Sequence, residues 1–85
     1  MEVTVYTKDN CGQCDMTKKV LNSVGIEFNT VENSDEEPTR TELFDEGFRS
    51  FPVVKVEGGE SWAGFRPDLI KSLAMQAVKQ SEGIE

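Results

Sequence analysis

The stretch "EVTVYTKDNCGQCDMTKKVL", residues 2–21, decides the fold because it joins a strand pattern directly to a helix pattern. Residues 2–6 alternate valine with polar neighbours and are rich in β-branched side chains, which predicts a strand. Apolar residues then recur at helical spacing over residues 12–24, and Gly25 is a natural end for that helix. The two cysteines of the chain, Cys11 and Cys14, therefore lie at the N-terminal end of a predicted helix.

A second strand and a second helix follow. Residues 26–31, "IEFNTV", alternate again, and a strand, a helix and a strand in this order imply a parallel crossover. Ser34 followed three residues later by Glu37 resembles a capping box, and Pro38 is tolerated in a first helical turn. We therefore predict a helix over residues 35–46.

The last third of the chain predicts a hairpin and a third helix. The segments "FPVVKV" (51–56) and "ESWAGF" (60–65) flank two glycines, a pattern typical of two short strands joined by a turn. Residues 66–80 have Pro67 in a first-turn position, which indicates a helix. The predicted order is β-α-β-α-β-β-α, an α/β fold with a four-stranded mixed sheet flanked by three helices.

Length and charge limit the possible functions. The 85 residues fit one domain, placed at residues 1–80, with a flexible C-terminal tail at residues 81–85. The net charge of −7 argues against nucleic acid or an anionic membrane as partner, because both require a positive surface. Histidine is absent, which excludes Ser-His-Asp and Cys-His nucleophile systems. The chemistry therefore rests on thiols, carboxylates, amines or hydroxyls.

The sequence also indicates a compartment. The first ten residues have neither a basic start nor an apolar stretch of signal-peptide length, and no apolar run is long enough to cross a bilayer. We therefore expect a cytoplasmic protein. A permanent structural disulfide is disfavoured in that reducing environment, whereas a transient one is compatible with it.

The spacing of the cysteines suits reversible disulfide chemistry. Side chains at i and i+3 on a helix lie about 5 to 6 Å apart at Cβ, so Cys11 and Cys14 can bond with little backbone movement. At the N-cap, Cys11 would face the free N–H groups of the first turn, which favour its thiolate and make it the nucleophile. Cys14, one turn further in, suits the resolving role. Lys8 would add to the stabilisation of the thiolate, and Asp9 and Asp15 would oppose it.

Two other interpretations of the pair stay open on the residues alone. A zinc site needs four ligands, and a chain with two cysteines and no histidine would have to recruit carboxylates or a second molecule. Alternatively, the cysteines are two small buried residues without redox function.

Three segments, "YTKDNCGQCDMTK", "GFRSFPVV" and "SWAGFRPD", together resemble the NrdH-type redoxins, small glutaredoxin-like members of the thioredoxin superfamily. The similarity extends from Val3 to about Leu73. The segment from Trp62 to Asp68 is its most specific part, because glutaredoxins usually carry a different glycine-and-acid sequence there that helps to hold glutathione.

The resemblance implies a thioredoxin fold and a dithiol electron carrier with Cys11 and Cys14 at the active-site positions. Such a carrier takes electrons from NADPH through thioredoxin reductase and passes them to the large subunit of a class Ib ribonucleotide reductase. It needs no bound cofactor besides its redox-active disulfide, since NADPH and FAD belong to the partner reductase. We expect it to be a monomer.

The chain departs from the family at two positions beside the cysteines. Gly12 stands where the family often has a bulkier residue, and Asp15 stands where histidine is frequent. Together with Lys8 and Gln13, these residues are the ones that we expect to tune the thiols.

The resemblance also implies a cis peptide bond between Phe51 and Pro52, facing the cysteines. That geometry would leave the Phe51 backbone free to pair with an extended substrate. The structural alternative is an ordinary proline at the start of a strand.

The remaining candidates for partner docking flank the turn before the last helix. Trp62 is expected at the surface, and Phe65 either joins it there or fills the core. Arg66 either tethers this turn to the loop at residues 48–50 or points into solvent.

The residues also allow two competing functions. A glutathione-dependent glutaredoxin would need cations for the two carboxylates of glutathione, and the candidates near the matching loops are Lys8, Arg49 and Arg66. A non-catalytic thioredoxin-fold adaptor or metal clamp would retain the cysteine pair without using its redox chemistry.

Overall fold

A computed structural model describes the backbone of residues 2–83 and the side chains of residues 2–76. The predicted order of elements is confirmed, with the bounds β1 (Val3–Tyr6), α1 (Gly12–Ser23), β2 (Asn29–Val31), α2 (Thr39–Asp45), β3 (Val53–Val56), β4 (Ser61–Ala63) and α3 (Pro67–Gly83). The strands form a four-stranded sheet in the order β2-β1-β3-β4. The β1–β2 pair is parallel and the other two pairs are antiparallel, as a mixed sheet requires.

The main core lies between one face of the sheet and the helices α1 and α3. Because side chains alternate along a strand, the two central strands send every second residue to this face. There they meet one leucine of α1 and two apolar residues of α3. The buried cluster consists of Val3, Val5, Leu21, Ile26, Val54, Val56, Trp62, Ile70 and Leu73. This packing fixes α1, and with it the cysteines, against the sheet.

Helix α2 belongs to the opposite face. Lys55, which alternates with the core residues Val54 and Val56, forms an ion pair with Glu46 just beyond α2. Its ammonium group also lies 5.9 Å from the centroid of the Phe48 ring. Lys55 thereby links the face of the sheet opposite to the main core with the end of α2.

The second strand is shorter than predicted, because the residues before it complete the end of α1. Gly25 has a φ of +77°. The Gly25 N–H donates to the carbonyl of Asn22, and the Ile26 N–H donates to the carbonyl of Leu21. This is the hydrogen-bond pattern of a Schellman motif. Ile26 is thereby drawn into the core, and pairing with β1 begins only at Asn29.

The second helix is also shorter than predicted, and the capping box is wrong. The hydroxyl of buried Ser34 donates backwards to the carbonyl of Val31 at 2.8 Å and so caps nothing. The Glu37–Pro38 bond is cis, and α2 begins only at Thr39. Glu37 instead accepts hydrogen bonds from the N–H and hydroxyl of Thr41. The predicted start at residue 35 is therefore a turn.

Acid should weaken this helix start. The hydroxyl and N–H of Thr41 lower the pKa of Glu37 in the folded protein. The stabilisation that ionised Glu37 gives to the folded protein is therefore fully present above the ordinary carboxyl pKa. It is lost as the pH falls through the lowered pKa. We expect Glu37→Gln to flatten the acid side of a melting-temperature profile, whereas Glu36→Gln, which leaves the Thr41 contacts intact, keeps the wild-type slope. Equal slopes in both variants would contradict this explanation.

The C-terminal helix α3 is described as far as Gly83, three residues beyond the predicted helix end. Residues 84 and 85 of the predicted tail lie outside the described residues, and the limit of the domain at residue 80 stays a prediction. Within the described part of the chain, no helix has the length and apolar character needed to cross a membrane.

Candidate active site

The two cysteines lie where β1 is followed by α1, and they form a disulfide. Cys11 is the N-cap residue of α1, with extended backbone, and its sulfur accepts a hydrogen bond from the N–H of Cys14 at 3.1 Å. The N-cap position predicted from the sequence is confirmed. The free N–H groups of the first turn therefore face Cys11, an arrangement that favours negative charge on its sulfur.

The two sulfur environments differ sharply. Cys14 is 0% exposed, whereas Cys11 is partly exposed at the end of the helix. The Cα atoms of the pair lie 5.2 Å apart, within the range that a relaxed disulfide needs. An incoming sulfur can therefore reach Cys11 but not Cys14.

Charged residues lie on both sides of the cysteine pair in the sequence. Asp15 follows the pair and forms an ion pair with Lys18, with 3.9 Å between nitrogen and oxygen. Both side chains are accessible to solvent, which screens their charges. Lys8 is partly buried in the segment between β1 and the cysteines. Gly12 is exposed, and a Cβ added there would meet nothing within 4 Å, so the bulkier residue common in the family has room.

Gln13, one of the residues predicted to tune the thiols, makes a long-range contact. Its side-chain oxygen accepts a hydrogen bond from the N–H of Phe65 at 3.2 Å, across 52 residues of sequence. The preceding N–H, that of Gly64, donates to the carbonyl of Pro52 at 2.8 Å. The cysteine turn, the proline loop and the loop after β4 therefore meet at one place.

The Phe51–Pro52 peptide bond is cis, as the resemblance implied. Pro52 is buried and Phe51 is partly exposed, directly before β3. Among the described residues, no backbone hydrogen bond involves the N–H or C=O of Phe51. These two groups are therefore not used by the protein's own backbone pairing within the described part of the chain.

The surface position expected for Trp62 is wrong. Trp62 is 6% exposed and belongs to the core between the sheet and α3, because β4 pairs with β3 so that Trp62 lies opposite Val54 on the buried face. Its indole Nε1 is buried without a hydrogen-bond partner among the described residues. Phe65 is the partly exposed aromatic residue of this turn.

Truncating Trp62 should therefore reduce stability. Removing a buried tryptophan side chain costs about 3 to 5 kcal/mol, a large share of the roughly 5 to 15 kcal/mol that stabilises a domain. Trp62→Phe should cost much less than Trp62→Ala, because it keeps most of the ring and gives up no hydrogen bond. Urea unfolding would measure both, and similar losses in the two variants would contradict the placement of Trp62 in the core.

Arg66 does not tether its turn to residues 48–50. Its guanidinium binds Asp68 through two hydrogen bonds of 3.3 and 3.1 Å, because both side chains lie at the exposed start of α3. The hydrogen bond from Arg66 lowers the pKa of the Asp68 carboxyl. Arg49 is also engaged. Its guanidinium donates a hydrogen bond to the Phe44 carbonyl, and its Cζ atom lies 4.9 Å from the centroid of the Phe44 ring.

Sequence reasoning did not identify Gly64 as a residue of the site. Its φ of +86° and its N–H bond to Pro52 make it the point where the loop after β4 touches the proline loop. A glycine within a strand-turn pattern is the available signal, but nothing local shows which loop it will contact. Across the described residues, no group of three or more histidine, cysteine or acidic side chains is placed to hold a metal ion.

Comparisons with known proteins agree with this geometry. Residues 3–62 match the family model for glutaredoxin. The chain is 47% identical over 74 residues to the glutaredoxin-like protein NrdH of Salmonella typhimurium, covering 86% of this chain and 89% of that one. It is 44% identical over 73 residues to the glutaredoxin-like protein NrdH of Lactococcus lactis subsp. cremoris, covering 85% and 99%.

A solved structure shows the same fold. The chain is similar to the glutaredoxin-like NrdH-redoxin from Escherichia coli, a protein described as having a thioredoxin-like activity profile. The two share 43% identity with a TM-score of 0.76, over 86% of this chain and 95% of that one. The predicted thioredoxin fold is thereby confirmed.

Proposed function

The chain belongs to the glutaredoxin family as an NrdH-type redoxin, and from that premise we propose that it carries electrons from thioredoxin reductase to a class Ib ribonucleotide reductase. It is a small thiol-disulfide oxidoreductase built on the Cys11–Cys14 pair. The observation that carries the proposal is the contrast between the accessible sulfur at the helix N-cap and the buried one behind it.

The proposed reaction divides the work between the two sulfurs. In the reduced protein, the Cys11 thiolate attacks the target disulfide, forms a mixed disulfide and displaces one target thiolate. The Cys14 thiolate then attacks the Cys11 sulfur, breaks the mixed disulfide and closes the Cys11–Cys14 bond. The target gains two electrons and takes up two protons, and the redoxin is left oxidised. The reductase reverses the change with electrons from NADPH.

The docking surface is proposed around the free backbone of Phe51. An extended target segment can pair with its N–H and C=O while its sulfur lies against Cys11. The partly exposed ring of Phe65, held next to the cysteine turn through Gln13, supplies apolar contact. Arg66 lies at the edge of this surface and Trp62 is excluded from it by burial.

Thioredoxin reductase is proposed over glutathione as the electron donor because few cationic side chains are free to bind the carboxylates of glutathione. Arg66 is paired with Asp68 and Arg49 is held by Phe44, so two of the three candidates for the glutathione carboxylates are already engaged. The thioredoxin-like activity profile of the Escherichia coli relative supports the same choice. The alternative function is that of a glutathione-dependent glutaredoxin. An NADPH oxidation assay with either thioredoxin reductase or glutathione as electron donor distinguishes the two.

The proposal also places the protein in the cytoplasm as a monomer with no cofactor of its own. Nucleotide reduction supplies deoxyribonucleotides there, and NADPH and FAD act in the partner reductase. The relatives carry the name NrdH, and we propose for this chain the acceptor that its resemblance to the NrdH-type redoxins implies.

The acceptor is tested by nucleotide reduction. Class Ib ribonucleotide reductase is incubated with a ribonucleoside diphosphate, NADPH and thioredoxin reductase, with and without this protein. We expect deoxyribonucleotide formation to continue beyond one turnover only when the redoxin is present. The Cys11→Ser/Cys14→Ser double variant serves as the control. Sustained turnover with that double variant would contradict the proposed role.

A further inference from the structure

Two consecutive backbone N–H groups in the loop after β4 bind the two other segments of the site. The Gly64 N–H donates to the carbonyl of Pro52 at 2.8 Å, and the Phe65 N–H donates to the side-chain oxygen of Gln13 at 3.2 Å. The first bond joins two backbone groups and does not involve the side chain of Gln13. The second depends on one side chain, which stands between Cys11 and Cys14.

The surroundings of Gly64 show how closely these segments approach. With φ at +86°, Gly64 adopts a backbone conformation that side chains disfavour. A Cβ added there would lie 3.8 Å from the side-chain oxygens of both Gln13 and Ser50. The loop after β4 is thus inserted between the cysteine turn and the segment before Pro52.

Gln13 is held at its backbone as well as at its side chain. Its carbonyl accepts a hydrogen bond from the hydroxyl of buried Thr17 at 2.8 Å, one turn along α1. The amide of an exposed glutamine on a helix ordinarily bonds to water. The side-chain oxygen of Gln13 instead accepts a hydrogen bond from the N–H of Phe65, which is distant in the sequence. The residue before Cys14 is therefore fixed both to the helix and to the loop after β4.

We propose that Gln13 is a positioning residue that holds the cysteine turn in place when the disulfide opens, and thereby keeps Cys14 within reach of Cys11. Closing a disulfide from two thiols becomes more favourable as the thiols are held closer together, because less conformational freedom is lost. The anchored turn therefore favours the oxidised form and lowers the reduction potential. The inference rests on the proposed function only in treating the two cysteines as the redox couple.

The test compares reduction potentials in glutathione redox buffers without any reductase. Gln13→Leu keeps the size of the side chain and removes the acceptor. We expect its dithiol–disulfide equilibrium to move toward the dithiol by up to about fivefold, the factor that one whole net hydrogen bond supplies and therefore the upper limit for a bond that is kept in both forms. That factor corresponds to a rise of about 20 mV in the potential of a two-electron couple. Amide exchange of the Phe65 N–H should become faster in the same variant.

Two further variants separate positioning from general effects. Gln13→Glu keeps an acceptor for the Phe65 N–H and should restore the wild-type potential at a pH where Cys11 is mainly thiol. At higher pH its added charge also acts on the thiolate, so the potentials are measured at two pH values. Gln76→Leu makes the same chemical change on exposed α3, away from the cysteine turn, and should leave the potential unchanged.

The inference is overturned if Gln13→Leu has the wild-type potential, or if Gln76→Leu shifts the potential equally. Failure of Gln13→Glu to restore the lower-pH value would also overturn it. These outcomes are independent of the electron donor: a protein that thioredoxin reductase does not reduce can still show the Gln13 effect, in which case the proposed function fails and the inference stands.

Discussion

Replacing Cys14 with serine is expected to stop turnover and to leave the target protein covalently attached to Cys11. The accessible Cys11 sulfur still attacks the target disulfide, but no second thiol closes on the mixed disulfide. The adduct therefore accumulates to near one target per redoxin. Non-reducing electrophoresis with mass spectrometry of the shifted band would measure it, and addition of dithiothreitol should release the target.

The trap also tests which cysteine resolves. With reduced Cys14→Ser protein and an oxidised target, the cross-linked peptide should contain Cys11. The matched control is Cys11→Ser, in which the remaining cysteine is 0% exposed in the folded protein. An adduct that forms equally well in Cys11→Ser would contradict the assignment of Cys11 as the entering sulfur.

Replacing Cys11 with serine is expected to reduce disulfide reductase activity to the uncatalysed background. Serine can still accept the hydrogen bond from the Cys14 N–H and cap α1, so the fold should remain intact. The hydroxyl cannot form a disulfide, and the remaining sulfur is enclosed by the helix and the core. Insulin reduction with dithiothreitol measures the activity, and circular dichroism verifies the fold.

The same variant tells the dithiol reaction from a non-catalytic role. An adaptor or metal clamp that retains the cysteines would keep its partner binding in Cys11→Ser, and zinc would co-purify with the wild-type protein. Substantial reductase activity in Cys11→Ser would contradict the proposed reaction directly.

Much of the fold was predictable because it depends on local patterns. The alternation in β1, the helical spacing in α1 and the glycines between β3 and β4 each report on nearby residues, and all three elements lie close to where they were predicted. The N-cap position of Cys11 follows from the same local rules. The position of the cysteine pair at the start of a helix is therefore predictable from the local sequence.

The errors in the fold arise where one residue serves two purposes. The alternating pattern at residues 26–31 indicates a strand, but Ile26 completes the Schellman motif and enters the core, which shortens β2. Ser34 and Glu37 have the spacing of a capping box. The Ser34 hydroxyl, however, donates to the carbonyl of Val31, and the Glu37 carboxylate accepts a hydrogen bond from the N–H of Thr41. In both segments the residue types fit the predicted element, but the residues contact other partners than that element requires.

The errors in the site arise from contacts distant in sequence. Aromatic residues in a loop near an active site often form a docking patch, which predicts Trp62 at the surface. The register of β4 on β3 instead places Trp62 opposite Val54, in the core. The contact between Gln13 and Phe65 spans 52 residues, so no local signal announces it. The residues left open whether Arg66 tethers its turn to residues 48–50 or points into solvent, and neither alternative anticipates its exposed pair with Asp68, two residues away.

The most direct test of the electron source is NADPH oxidation at 340 nm with a disulfide acceptor and catalytic amounts of this protein. One reaction contains thioredoxin reductase, and the other contains glutathione with glutathione reductase. The proposed function predicts turnover with thioredoxin reductase and only background with glutathione. Turnover with glutathione alone would contradict it and would show that the protein works as a glutathione-dependent glutaredoxin.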